Sequence, residues 1–523
     1  MNSNAMSHNK EMALNLSTSL IAFAINLIIS FFISPYIIRK IGVDANGFIN
    51  LAHTFISYAT LVTVALNSMS GRYITIALQQ KKYELANKYY NAVFIGNLII
   101  SILLLGPAIF CLIQLENIIN IPEHLIYDVK ILFIIVFLNF FIGTILPNWH
   151  VAMFSTNKIY LNSIYSLKAN ILKIILIFLL FLFFNTKVYY IAIATLICSI
   201  YCRYWEYYYY RKLMPTLKVD YHYFEIRYIK ELVASGIWNT INKAGHILLS
   251  GLDLLIANLF VGPVEMGLLS VAKTIPNTIN SLSVNITNVF MPQLTIHYAH
   301  NDQKAIQTTM KQAMKISGVL LTIPLVILIV YGEEFYQLWL PSENAYILQI
   351  LSVLTCFGLV FLSGIQPLFN VFTVTNKVKT NSLLLLLSGG ISTLIVFILL
   401  KTTNLGVFAI AAVSTFINLV RNIVYTIPFT AKYLNLKWYV FFPEVLTSMI
   451  SVIILSFVGI FIKQFIIIDS WIILIIICLT TSIIGLLLNM LIILNREERK
   501  QILYIFASKL KKTTLFKSSI YEK

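Results

Sequence analysis

Five ionisable side chains interrupt long apolar stretches of the chain: Lys173, Lys243, Lys273, Arg421 and Asp253. Four are cations and one is an acid, so the chemistry on offer is attraction of an anion, not acid–base catalysis. Lys243 is the most isolated, since the nearest acids in its own stretch, Glu231 and Asp253, are each at least ten residues away. Asn242 and His246 flank it on one polar stripe, and His53 sits in a similar stripe of the second apolar stretch, which ends at Arg72. Asp253 and Lys273 read either as a structural ion pair or as a site for a coupling ion. His53 titrates near neutral pH when unperturbed, although a lone His in a polar stripe is more often a packing residue. Lys173 shares a stripe with Ser163, Ser166 and Asn170, and reads equally as a snorkelling residue. Arg72 reads equally as a membrane-end anchor. No G-x-x-x-x-G-K-[ST], H-E-x-x-H or D-x-D pattern occurs, so neither ATP hydrolysis nor a catalytic metal or other cofactor is expected.

The elements that position these residues follow from composition. Of 523 residues, 59% are hydrophobic and only 11% charged, and the mean hydropathy is +0.82. Soluble chains carry roughly 25% charged residues, so a soluble enzyme, a disulfide scaffold and a disordered chain are excluded. The apolar runs reach the ~20 residues that a bilayer-crossing helix needs, and they lack the alternation of barrel strands. An all-α polytopic membrane protein is expected. Fourteen spans are predicted, at 13–37, 47–70, 91–114, 127–148, 160–184, 187–209, 231–259, 266–296, 314–332, 346–371, 380–400, 404–431, 440–464 and 470–494. A cation at mid-bilayer costs about 2.5–3.5 kcal/mol on insertion scales, so the four must be paired or meet water. Lys243 lies near the midplane of its span, ~18 Å from the start at 1.5 Å per residue.

The net charge of +17 is distributed by topology. With the N-terminus inside, 28 Lys and Arg fall in cytoplasmic segments and 6 in outer ones. Both termini are therefore expected in the cytoplasm, and the basic charge does not imply nucleic acid. The five cysteines lie in apolar runs and read as small hydrophobes. Pro276, inside the eighth span, predicts a kink.

An internal repeat is visible at a constant offset of 220. Gly42 matches Gly262, Gly47 matches Gly267, Ala52 matches Ala272 and Thr54 matches Thr274. Both copies sit at the outer end of an odd span, which predicts two parallel six-helix lobes plus two C-terminal helices. The expected division is 1–210 for the first lobe, 211–230 for a cytoplasmic linker and 231–435 for the second lobe. Spans 13 and 14 occupy 436–495, and 496–523 forms a basic tail. Polar stripes pick out spans 1, 2, 7 and 8, either as a shared cavity lining or as helix–helix glue. Spans 13 and 14 show no such stripe and are expected to face lipid or a lipid groove.

Pro35-Tyr-Ile-Ile-Arg-Lys-Ile-Gly-Val-Asp-Ala-Asn-Gly-Phe-Ile-Asn-Leu51, Ser155-Thr-Asn-Lys158, Gly251-Leu-Asp253, Gly267-Leu-Leu-Ser-Val-Ala-Lys273 and Met291-Pro292 together resemble Wzx-type oligosaccharide flippases. These belong to the multidrug/oligosaccharidyl-lipid/polysaccharide (MOP) superfamily. The resemblance covers nearly the whole chain, including the span count. It implies a bacterial cytoplasmic-membrane flippase for undecaprenyl-pyrophosphate-linked repeat units in capsular or O-antigen-type polysaccharide synthesis, working by alternating access. Polysaccharide polymerases and glycosyltransferases are the implied partners, beside the lipid-linked oligosaccharide and membrane lipids. Lys243 would meet the pyrophosphate, and Lys273 and Arg421 would shape the field. Leu254 departs from the pattern, since many relatives carry a basic residue after the acid. The alternatives are a MATE-like cation-coupled drug exporter, which would want cavity acids, and a membrane polysaccharide polymerase, which would want a long outer loop.

Overall fold

The computed structural model describes residues 2–500, with the backbone alone for 2–17, 19, 20, 23, 30, 292, 299 and 359–362. The tail from 501 onward, and the side chains of Asn15, Ser19 and Ser30 in the first-span stripe, lie outside this description. All regular structure among the described residues is helical. The helices are α1 (Asn2–Ile41), α2 (Val43–Gln79), α3 (Tyr83–Ile113), α4 (Ile126–Ile145), α5 (Tyr160–Phe183), α6 (Tyr189–Leu213) and α7 (Ile226–Phe260). They continue as α8 (263–288), α9 (Gln303–Trp339), α10 (Ala345–Val374), α11 (Val378–Thr402), α12 (Val407–Tyr433), α13 (Phe442–Lys463) and α14 (Trp471–Ile492).

Twelve of these are long and apolar enough to cross a membrane. The two that fall short are α6 and α8, the expected sixth and eighth spans. Both are helical, but α6 ends in Arg203, Glu206, Arg211 and Lys212, and α8 is broken and rich in Asn and Ser. The break is at Lys273, between Pro263–Ala272 and Thr274–Asn288. Pro276 causes it, because proline lacks the N–H for the Ala272 carbonyl and its ring crowds that oxygen.

The chain divides into two units. The first holds residues 1–273 and 378–417, that is α1 to α7, the first part of α8, α11 and the first part of α12. Its helices approach closely where glycine removes the side chain. A Cβ on Gly236 of α7 would lie 1.9 Å from the Ala65 carbonyl oxygen of α2, and one on Gly389 of α11 would lie 2.7 Å from that of Gly245. The repeat copies meet here as well. Asn50 donates to Ser270, its equivalent at offset 220, at 2.6 Å, and a Cβ on Gly47 would lie 2.9 Å from the Gly267 Cα. Equivalent residues of the two copies are therefore in direct contact. Gly42 and Gly262 precede the two repeat helices with φ of 91° and 153°, backbone that L side chains rarely adopt.

The second unit holds 274–377 and the residues from 418 on. Here the two C-terminal helices differ from the sequence expectation. One face of each is polar and buried: Ser448 and Ser451 on α13, Thr481 and Asn489 on α14. Asn489 donates to Thr322 at 2.7 Å and to the Val319 carbonyl at 3.0 Å, both on α9, and accepts from Ser451. Lys311–Glu444 at 3.1 Å and Lys463–Glu334 at 2.5 Å tie α9 to α13. These residues are too few per helix to read as a stripe, yet they fix both helices to α9, and only the other faces are left for lipid.

Candidate functional site

Lys243 stands at the midpoint of α7. It is half-buried and makes neither an ion pair nor a hydrogen bond among the described residues. Asn242 is half-buried and His246 is exposed on the next turn of the same helix face. Between Asn242 and His246, little more than one turn of α7 offers an ammonium with no ion pair among the described residues, beside polar groups.

Part of the expected stripe has another job. Asn239 donates to Ser68 of α2 at 3.1 Å, and Tyr73 of α2 hydrogen-bonds Ser235 of α7 at 2.8 Å. Asn67 exchanges amide hydrogen bonds with Asn97 of α3 at 2.9 and 3.0 Å. These residues hold helices together, as interhelical amides do in membranes.

Asp253 and Lys273 come together. Lys273 Nζ lies 2.5 Å from Asp253 Oδ2 in the first unit, with Asp253 buried and Lys273 half-buried. Beside them α7 passes through a π-helical turn at Ile247–Gly251. Three of its carbonyls accept bonds from other helices: Leu248 from Thr393 of α11 at 2.9 Å, Ser250 from Lys273 at 3.1 Å, and Gly251 from Tyr58 of α2 at 2.9 Å. Tyr58 and Thr393 carried no signal in the sequence, because a hydroxyl bonding a distorted turn has no fixed spacing.

His53 also lies in the first unit, within electrostatic reach of Lys173. It lines a small cavity with Asn139 of α4 and Thr195 of α6, among aliphatic side chains such as Val136 and Ile191. Asn139 and Thr195 were not singled out in the sequence, because each is one of several polar residues in its helix and neither falls in a stripe. His53 is the repeat equivalent of Lys273, but the position equivalent to Asp253 is Ile33, so the two halves differ chemically.

Arg421 belongs to the second unit. It is 8% exposed, donates from Nη2 to Asn418 at 3.0 Å, and stacks its guanidinium 5.9 Å from the Phe369 ring. No carboxylate pairs with it among the described residues, and its Nε is buried without a partner. Arg72 is exposed near the end of α2 and makes no ion pair among the described residues. No group of three or more His, Cys, Asp or Glu that could hold a metal ion occurs among the described residues.

Residues 13–296 match the family described as polysaccharide biosynthesis protein. Over 493 residues the chain is 26% identical to the uncharacterized membrane protein EpsK of Bacillus subtilis (strain 168), covering 94% of this chain and 97% of that one. Among solved structures, the lipid II flippase MurJ in an inward closed conformation matches with a TM-score of 0.60 at 15% identity, covering 90% of this chain and 98% of MurJ. An inward-facing multidrug resistance MATE family transporter of the MOP superfamily matches with a TM-score of 0.59 at 15% identity, covering 81% and 98%. At this identity the likeness is one of fold: the chain shares the fold of both proteins.

Proposed function

The chain belongs to the polysaccharide biosynthesis protein family, and on that premise we propose that it flips undecaprenyl-pyrophosphate-linked oligosaccharide repeat units across the bacterial cytoplasmic membrane. The pathway served is capsular or O-antigen-type polysaccharide assembly, and the mechanism is alternating access. The observation that carries this reading is Lys243, an ammonium at the middle of a membrane-crossing helix with no acid paired to it among the described residues. An uncompensated charge there is expensive, and a cargo bearing roughly two negative charges on its pyrophosphate compensates it while in transit. Asn242 and His246 offer hydrogen bonds to the first sugars, and the polyprenyl tail stays in lipid throughout. Arg421, buried with no carboxylate paired to it among the described residues, is the cationic candidate of the second unit, and Arg72 receives the headgroup near the cytoplasmic end of α2. Lys173 adds positive potential to the first unit, and His53 offers a hydrogen-bonding group there. Glycosyltransferases that build the repeat unit and a polymerase that consumes it are the expected partners.

The exporter of cationic drugs is the weaker reading. Such cargo needs an available carboxylate in the membrane interior, and Asp253 is already neutralised by Lys273.

Deletion of the gene tests the proposal. Lipid-linked repeat units should accumulate on the inner leaflet and surface polysaccharide should fall, both restored by the wild-type chain. Normal surface polymer with lost drug resistance would overturn it in favour of export.

A further inference from the structure

The cluster at the π turn of α7 has a composition that ion pairing alone does not require. A carboxylate and a backbone carbonyl, Asp253 Oδ2 and Ser250 O, converge on one positive point at 2.5 and 3.1 Å. Two neighbouring carbonyls of the same turn are held by hydroxyls from α2 and α11. Carbonyls of an interrupted membrane helix beside a buried acid are what a desolvated monovalent metal cation requires, and π turns recur at functional sites. An ammonium is a compact point charge that makes the same demand. Lys273 can supply one because Pro276 breaks α8 at that residue. The repeat-equivalent position in the other half, His53, faces no acid at Ile33, so repeat symmetry does not account for the arrangement.

We propose that this cluster is an alkali-cation site whose occupant is built in: the Lys273 ammonium holds the place of a free Na+, and removing it converts Asp253 and the π-turn carbonyls into a sodium site. The charge at this junction of α2, α7, α8 and α11 is then constant whatever the external sodium concentration. Transport draws no drive from a free alkali cation at Asp253.

The test measures cation binding and not polysaccharide, so its failure leaves the flippase reading standing. The full-length chain in lipid nanodiscs is melted in NaCl and in choline chloride at equal ionic strength, and 22Na+ binding is counted. The wild type should show the same unfolding midpoint in both salts and no saturable 22Na+ binding. Lys273→Met should gain saturable 22Na+ binding and a midpoint that rises with sodium, and Lys273→Met/Asp253→Asn should lose both. Recovery of Lys273→Met from membranes only when sodium is present also supports the proposal. Saturable wild-type binding that Asp253→Asn removes overturns it. So does a folded Lys273→Met indifferent to sodium, or failure to recover that variant in either salt, since a free cation should then have replaced the ammonium.

Discussion

Lys243 is the residue on which the cargo reading turns, and its role separates by charge. Lys243→Met keeps the length of the side chain and removes the ammonium, so surface polymer per molecule of inserted protein should fall to the level of the deletion. Lys243→Arg keeps the charge with altered geometry and should retain part of the output. Near-normal polymer from Lys243→Met would remove the pyrophosphate role. Asn489 makes a contrasting prediction, because its work is structural. It joins α14 to Thr322 and Val319 of α9 and to Ser451 of α13. Asn489→Leu should lower stability by about 1–2 kcal/mol, at ~0.6 kcal/mol for an interhelical bond, read as an earlier thermal unfolding in nanodiscs. Lys243 was legible in the sequence because a lone charge in an apolar run is costly wherever the helix packs. Asn489 was not, because one amide in a span says nothing about which neighbour it bonds.

Among the elements, α11 carries adjacent glycines with opposite surroundings. A Cβ on Gly389 would meet the Gly245 carbonyl oxygen and Leu248 Cβ, each at 2.7 Å, whereas one on Gly390 would meet nothing within 4 Å. Gly389→Ala should therefore cost about 1–3 kcal/mol through overpacking against α7. Gly390→Ala should be neutral or stabilise by up to ~1 kcal/mol through helix propensity. Equal unfolding temperatures for the two variants would mean that α7 and α11 do not approach this closely. The same close approach governs α2, where Gly236 of α7 meets the Ala65 carbonyl. Sequence periodicity placed these helices and their polar faces, and Pro276 announced the break in α8. It did not separate the Asn and Ser residues that fasten helices from those left free, since both kinds share one spacing.

For the molecule as a whole, the charge asymmetry of the loops makes the topology testable. In a background with the five native cysteines replaced, single cysteines at Lys81 and Lys304 should be shielded from an impermeant thiol reagent in intact cells. One at the exposed Ser342 should react. Labelling at Lys81 would invert the orientation. Glu334 is a poor outer probe, since it is buried against Lys463. Both units combine ion pairs with close approaches at glycine. In the first, Asp253–Lys273 accompanies Gly236 and Gly389. In the second, Lys311–Glu444 and the Asn489 network accompany Gly318, where a Cβ would meet the Ser448 hydroxyl.

The sequence by itself determined that the chain is a helical membrane protein, where its cations interrupt the apolar runs, and that an ancestral unit recurs at an offset of 220. Each of these is set by local cost: apolar length against bilayer thickness, charge against low dielectric, glycine against backbone conformation. Only the tertiary structure decided which cation is neutralised and which is not. The sequence left Asp253 and Lys273 open as an ion pair or a coupling-ion site, and showed Lys243 only as distant along its own helix from any acid. The fold brings Asp253 to Lys273 across the π turn and pairs no acid with Lys243 among the described residues, because pairing depends on how helices pack as well as on how residues are spaced.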